Sequence, residues 1–208
     1  MSLFSEIRTA ILATIAWFVL TVILYPSLIL LLSLVTPWTA NGSLVDAQGQ
    51  PTTNPNQAVG SLLIGQPFRD PAYFWSRPST SAYSTADANN DPAGVLKTGT
   101  SGASNYAPSH PALLSRVQEE VVRLQGAGLT SIPADMVYTS GSSLDPHISP
   151  ASAQDQKGRV ATARQVPPEQ LDPLIAQATD GRWLGLFGEP GVNVLKLNLL
   201  VNQQFPRS

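Results

Sequence analysis

Between Arg8 and Asp46 the chain carries no charged residue, and within that gap Ala10 to Val35 reads AILATIAWFVLTVILYPSLILLLSLV. A run of about 26 residues is long enough to cross a hydrocarbon core with some tilt. A soluble helix keeps a polar face, and this run has none. A cleaved leader has an apolar region of about 7–15 residues ending at a small-residue cleavage site, whereas this run is far longer and no A-x-A follows it. The pattern predicts a retained anchor over 10–36, preceded by a short segment 1–9 and followed by a domain 37–208. Pro26 removes a backbone donor inside the span and predicts a kink. Neighbouring helices or waters best satisfy the carbonyl so freed, and Thr14, Thr21 and Ser27 are small polar residues suited to close helix contacts. Pro26 is therefore a candidate contact with a partner in the membrane.

The domain beyond it reads as mixed. NGSLV and AVGSLLIG predict short strands joined by a polar, Pro-containing loop from Asp46 to Gln57. QPFRDPAYFWSRPST is aromatic and extended, because its prolines disfavour helix. Ser81 to Ala103 is a loop of Ser, Thr, Asn, Asp and Gly. Ser109 is placed to cap a helix with Pro111 in its first turn; Leu114, Val117, Val121 and Leu124 form its apolar stripe, and Gly126 and Gly128 end it. DMVYTS predicts a strand. A second helix is predicted from Ser149–Pro150 to about Arg164, and a third after Pro167–Pro168, with Leu171, Leu174, Ile175 and Ala178 on one face. GVNVLKLNLLVN predicts a closing strand, with Leu195, Leu197, Leu199 and Val201 alternating onto one side. The fold class expected is α+β: one transmembrane helix, then one extracytoplasmic domain with a small sheet and about three helices.

Composition sharpens this. Charged residues are 12 % of the chain, against about 25 % in an ordinary soluble domain. A net charge of −2 gives no basic face for nucleic acid. With no cysteine, disulfides and thiolate chemistry are excluded, and two histidines, His110 and His147, make a His-rich metal site unexpected. No cofactor is expected. Arg8 and the terminal amine precede the span and the next basic residue is Arg69, so the positive-inside rule puts the N-terminus in the cytoplasm and the domain outside.

Two stretches carry candidate chemistry. LKTGT, Leu96 to Thr100, differs from the phosphorylation motif D-K-T-G-T of P-type ATPases by Leu96, which replaces the only nucleophile. SGSSLDPHIS, Ser140 to Ser149, holds the residue types of a hydrolase triad. A triad needs His within reach of Ser and a buried Asp behind it. Ser142, Ser143, Asp145 and His147 lie nearly adjacent around Pro146, and no G-x-S-x-G elbow is present. The stretch reads better as a rigid turn whose Ser and Asp side chains cap backbone N–H groups and aim the helix that starts at Ser149. An anchored extracytoplasmic hydrolase using Ser142 or Ser143 with His147 is the alternative.

SGSSLDPHISP followed by AQDQKGRVATAR, together with YP in the span, NGSL, VGSLLIGQPF, YFWSRPS, GASNYAPS and GEPGVNVLKLN, resembles the C subunit of the bacterial Kdp potassium-transporting ATPase over nearly the whole chain. Two departures are Ser143, where that family usually has Gly, and an apparent insertion from Ala86 to Thr98. The resemblance implies a non-catalytic single-span subunit of the inner membrane. It would assemble with a channel-like potassium-binding subunit, a P-type ATPase subunit and a small single-span subunit, its periplasmic domain over the external mouth of the channel-like one. It also implies an influence on ATP affinity, which has to be indirect if only Met1 to about Arg8 is cytoplasmic. Candidate partner contacts are Arg77, set between aromatic residues and Pro78, and Asn105, Asp145, His147, Gln156, Arg159 and Arg164 in the matching motifs. Each has an internal reading as well: turn caps for Asn105 and Asp145, helix-surface charges for Arg159 and Arg164.

Overall fold

The computed structural model describes residues 3–84 and 100–207. The LKTGT motif, Thr100 apart, and the Ala86 to Thr98 insertion lie outside the described residues. Two compact units divide the chain, Met1–Ser43 and Leu44–Ser208.

In the first unit one helix runs over Leu3–Val35, starting earlier than the predicted span. It consists of α1 (Leu3–Phe18), a π-helical stretch (Val19–Leu24) and α2 (Tyr25–Val35), and none of these buries a residue. The N–H of Tyr25 reaches back to the carbonyl of Leu20. That wider turn, placed just before Pro26, gives the pyrrolidine ring room that a tight α-turn denies. Sequence predicts a kink at Pro26; the structure shows its disturbance as a widened turn ahead of it. The Thr14 hydroxyl donates to the Ala10 carbonyl (2.8 Å) and that of Thr21 to Trp17 (2.7 Å). These donors are spent within the helix, so what they leave for a neighbouring helix is small size. A helix apolar on every side, uncovered by its own chain, fits a single-pass membrane segment. A short α3 (Pro37–Ala40) follows.

The second unit is α+β, as the pattern predicts, but among the described residues it has two small sheets rather than one. β1 (Leu44–Asp46) and β2 (Ala58–Ser61) form an antiparallel hairpin with a bulge between Val45 and Asp46. β3 (His147–Ile148), β5 (Gly191–Asn193) and β4 (Thr179–Asp180) form the other sheet, antiparallel, with β5 central. Helices α4 (Pro111–Gly126), α5 (Pro150–Arg164), α6 (Asp172–Ala178) and α7 (Val194–Gln204) surround a core that includes Phe74, Leu124, Ile148, Val160, Leu171 and Leu197.

Local chemistry explains the boundaries. The residue that caps α4 is His110, not Ser109: its Nδ1 accepts the Ala112 N–H at 3.1 Å, and Pro111 takes the first helical position. α4 ends in a Schellman arrangement. Gly128 at φ +88° donates to Gln125, and Leu129 donates to Leu124. Leu124 and Leu129 are both buried, but Leu114, expected on the inner stripe, is exposed. DMVYTS is not a strand: Ala134–Met136 forms a single 3₁₀ turn. Helix α5 starts at Pro150 with Ser149 as its cap and ends at Arg164, as the sequence predicts. A 3₁₀ turn, Pro168–Leu171, leads into α6.

The closing stretch departs most. Only Gly191–Asn193 is strand; Asn193 accepts the Lys196 N–H at 3.1 Å, and that cap starts helix α7. Val194, Leu197, Asn198 and Val201 are buried at helical spacing, and the buried Asn198 is satisfied by backbone elsewhere in the chain.

Candidate functional site

Among the described residues the Pro71–Trp75 segment has no strand partner, and side chains meet its backbone groups instead. Asn198 in α7 accepts the Phe74 N–H (2.8 Å) and donates to its carbonyl (2.9 Å). Gln156 in α5 does the same for Trp75, at 2.7 and 3.1 Å. Each primary amide presents one donor and one acceptor side by side, as a paired strand would. Gln156 is fully buried, and such a group is tolerated because its bonds are made. One turn further along α5, Arg159 donates to the carbonyls of Pro71 (2.6 Å) and Tyr73 (3.0 Å) and to Gln156 (2.6 Å), and its guanidinium lies 3.7 Å from the Trp75 ring centre. Burial, with the Arg123 charge adding to it, lowers the Arg159 pKa to about 10. Arg164 donates to Ala72 (2.9 Å), Phe205 (3.0 Å) and Asn202 (2.6 Å). Gln156, Arg159 and Arg164 thus form one internal clamp on the aromatic segment. Their spacing on α5 could have suggested a shared face; nothing in the sequence announces the carbonyls they hold.

The segment leads to Arg77, which reaches the turn that follows Ser140. Arg77 Nη1 donates to Asp145 Oδ2 at 2.9 Å, and Asp145 Oδ1 accepts the His147 N–H at 2.9 Å. The His147 ring lies between two carboxylates, with Nε2 3.0 Å from Asp180 and Nδ1 3.5 Å from Asp145. The Asp145 carboxylate, with Asp180 second, raises the His147 pKa against the effect of burial. For Asp145 burial acts upward, but the bonds from His147 and the Arg77 charge prevail and hold its pKa below the ordinary carboxylate range.

The serines belong to a different network. Ser143, at φ +58°, is buried; its hydroxyl accepts the Thr80 N–H at 3.0 Å and meets the Thr80 hydroxyl at 2.6 Å. A glycine would take that backbone geometry without strain. The Ser142 hydroxyl accepts the Leu144 N–H. The Thr80 hydroxyl donates to the Gly102 carbonyl (2.9 Å), while the Gly102 N–H and the Ser101 hydroxyl both donate to the Ser142 carbonyl (3.1 and 3.2 Å). Residues just before and just after 85–99 are thereby sewn to the same turn. Asp135 anchors the far side, accepting from the Ser149 N–H (2.6 Å) and the Ser152 hydroxyl (2.6 Å).

A cleft of about 560 Å³ opens at this turn, lined by Arg77, Asp135, Asp145, His147, Asp180 and Glu189 among others. Three of these four carboxylates face a basic group, Asp145 with Arg77, Asp180 with His147 and more distantly Lys196 (3.8 Å), and Glu189 with Arg182 (2.9 Å), while Asp135 is held by Ser149 and Ser152. The sequence brings Arg77, Asp145 and His147 into its candidate list; Asp180 is missed, having no local signal. Asn105 stands apart, exposed and in the left-handed region at φ +52°. Chemically the arrangement orients and pins a turn. The side-chain hydrogen bonds of Ser142 and Ser143 go to Leu144, Thr80 and Ser140, and those of the His147 ring to an aspartate.

An apolar N-terminal helix followed by an α+β unit is compatible with a single-pass membrane protein. The family described as K+-transporting ATPase, c chain, matches residues 7–203. The chain is 51 % identical to potassium-transporting ATPase KdpC subunit 1 of Nostoc sp. strain PCC 7120, over 99 % of this chain and 100 % of that one. It is 49 % identical to the KdpC subunit of Microcystis aeruginosa, over 97 % of each chain. With that of Synechocystis sp. strain PCC 6803 the identity is 52 %, over 89 % of this chain and 92 % of the other. The chain belongs to the KdpC family of potassium-transporting ATPase subunits.

Proposed function

We propose that the chain is a non-catalytic accessory subunit of a high-affinity, ATP-driven potassium uptake complex in the bacterial inner membrane. Full-length similarity to KdpC subunits carries this reading. The N-terminus lies in the cytoplasm, residues 10–36 span the bilayer, and 37–208 form the periplasmic domain. The domain sits over the external mouth of a channel-like potassium-binding subunit, in an assembly completed by a P-type ATPase subunit and a small single-span subunit. Any effect on ATP affinity is transmitted through these partners. Support for a non-catalytic role comes from the triad residue types, which are all committed to the turn. In this reading Asn105 and the Arg77, Asp145 and His147 edge of the cleft are the surface offered to a partner. Gln156, Arg159 and Arg164 support that surface from within, and the widened turn before Pro26 is the membrane contact.

Deleting the chain from Trp38 onward tests the reading. Copurification and potassium-stimulated ATP hydrolysis of the assembled complex are measured beside the intact form. The truncated form is expected to lose potassium stimulation even where the helix still inserts. Full activity without the domain would refute the external role.

A further inference from the structure

The hairpin between β4 and β5 ends in four apolar side chains, Trp183, Leu184, Leu186 and Phe187, which are 68, 71, 75 and 61 % exposed. Their display is built in. Trp183 N–H donates to the Phe187 carbonyl at 2.8 Å and Phe187 N–H to that of Trp183 at 3.0 Å, and the two rings lie 5.8 Å apart. Leu184 and Gly185 both adopt positive φ, at 53° and 73°, which reverses the chain within the tip. Other exposed large apolar side chains of the unit, such as Leu63, Leu114 and Val122, are well separated along the chain. An apolar patch this concentrated marks a surface that something covers.

We propose that this tip inserts into the lipid–water interface and gives the second unit its own hold on the membrane. Three observations select lipid as the occupant. First, all four side chains remain exposed at a chain reversal, and a fluid phase covers such a tip without needing a groove shaped to it. Second, the base of the hairpin carries Arg182 and Glu189 paired with each other at 2.9 Å. That self-neutralised collar offers no basic surface for anionic headgroups and no free charge for a salt-bridging partner, and it suits zwitterionic lipid. Third, the same chain carries a 33-residue apolar helix with none of its most apolar window buried. Covalent linkage to a membrane segment raises the effective concentration of lipid at any second contact. Trp is also the side chain most at home where hydrocarbon meets headgroups.

The test uses the full chain in phosphatidylcholine vesicles without any partner subunit, so its outcome is independent of the transport reading. The chain has no cysteine, so Leu186→Cys provides a single site for an environment-sensitive fluorophore. Leu63→Cys, exposed elsewhere on the unit, is the comparison. Vesicles are prepared with and without phosphatidylcholine brominated along its acyl chains. A label at position 186 is expected to emit to the blue and to lose most of its emission to the brominated lipid, while the label at 63 stays water-like and unquenched. Water-like, unquenched emission at 186 would overturn the proposal. So would blue-shifted emission that bromine does not quench, which would assign the tip to a protein surface, including a second copy of this chain.

Discussion

Replacing Gln156 with Leu removes the amide that stands in for a strand partner at Trp75 while keeping most of the side-chain volume. Two backbone groups then lose their partners in the interior, the Trp75 N–H and its carbonyl. Leaving one buried polar group unpaired costs about 1–3 kcal/mol. Arg159 also loses its 2.6 Å acceptor but keeps the carbonyls of Pro71 and Tyr73. The expected loss is about 3–5 kcal/mol, a fall of about 6–20 °C in Tm for a unit of this size. Urea titration of the full chain in detergent, followed by near-ultraviolet circular dichroism of its tryptophans, measures it. Gln154→Leu, exposed on the same helix and bonded only to Asp172, is the control, expected within about 0.5 kcal/mol of the parent. If Gln156→Leu cost less than about 1 kcal/mol with an unchanged denaturant slope, the idea that side-chain amides hold the aromatic segment would be wrong.

At Ser143 the left-handed backbone and the bond to Thr80 pull in opposite directions, so Ser143→Ala, which keeps the strain and loses the bond, should cost about 1–2 kcal/mol, while Ser143→Gly should be nearly neutral; equal losses in urea titration would contradict this. The raised His147 pKa means that its contribution is complete below the ordinary value of about 6.5 and is lost as pH rises through the folded value, whereas that of Asp145 is present above its ordinary value of about 3.8 and lost as pH falls through its lowered one. Urea midpoints should therefore decline from mildly acidic to alkaline pH, and His147→Gln should flatten that decline. His110→Ala should destabilise α4 by about 0.5–2 kcal/mol, read in the same titration. For topology, Ser101→Cys should react with an impermeant thiol reagent in vesicles with the periplasmic side outward, and Ser2→Cys should not; the reverse pattern would invert the proposed orientation.

The long apolar helix and α5 were legible because each is written in consecutive residues: an uncharged apolar run, and Ser149–Pro150 at a helix start. The closing stretch was not. Leu195, Leu197, Leu199 and Val201 alternate as a strand would, and the helical stripe that competes with them includes Asn198, a polar residue that periodicity counts as exposed. Its burial is explained only by the backbone of Phe74, 124 residues away in sequence. The turn after Ser140 was legible as a turn. Its fastening was not, because Asp145 is held from 68 residues upstream by Arg77 and His147 from 33 residues downstream by Asp180. Local pattern identifies caps and turns; it carries no information on which distant carboxylate or carbonyl completes them.

The stitching of Thr80, Ser101 and Gly102 to the Ser142–Ser143 turn separates two questions that are usually joined in a loop: where it is rooted, and how long it is. The roots at Thr80, Ser101 and Gly102 make four hydrogen bonds to that one turn. Once the roots are fixed, doubling the residues between them costs only about 0.6 kcal/mol of closure entropy. The chain on either side of 85–99 is thereby tied back to one point, beside the turn that Arg77 pins from its own side through Asp145.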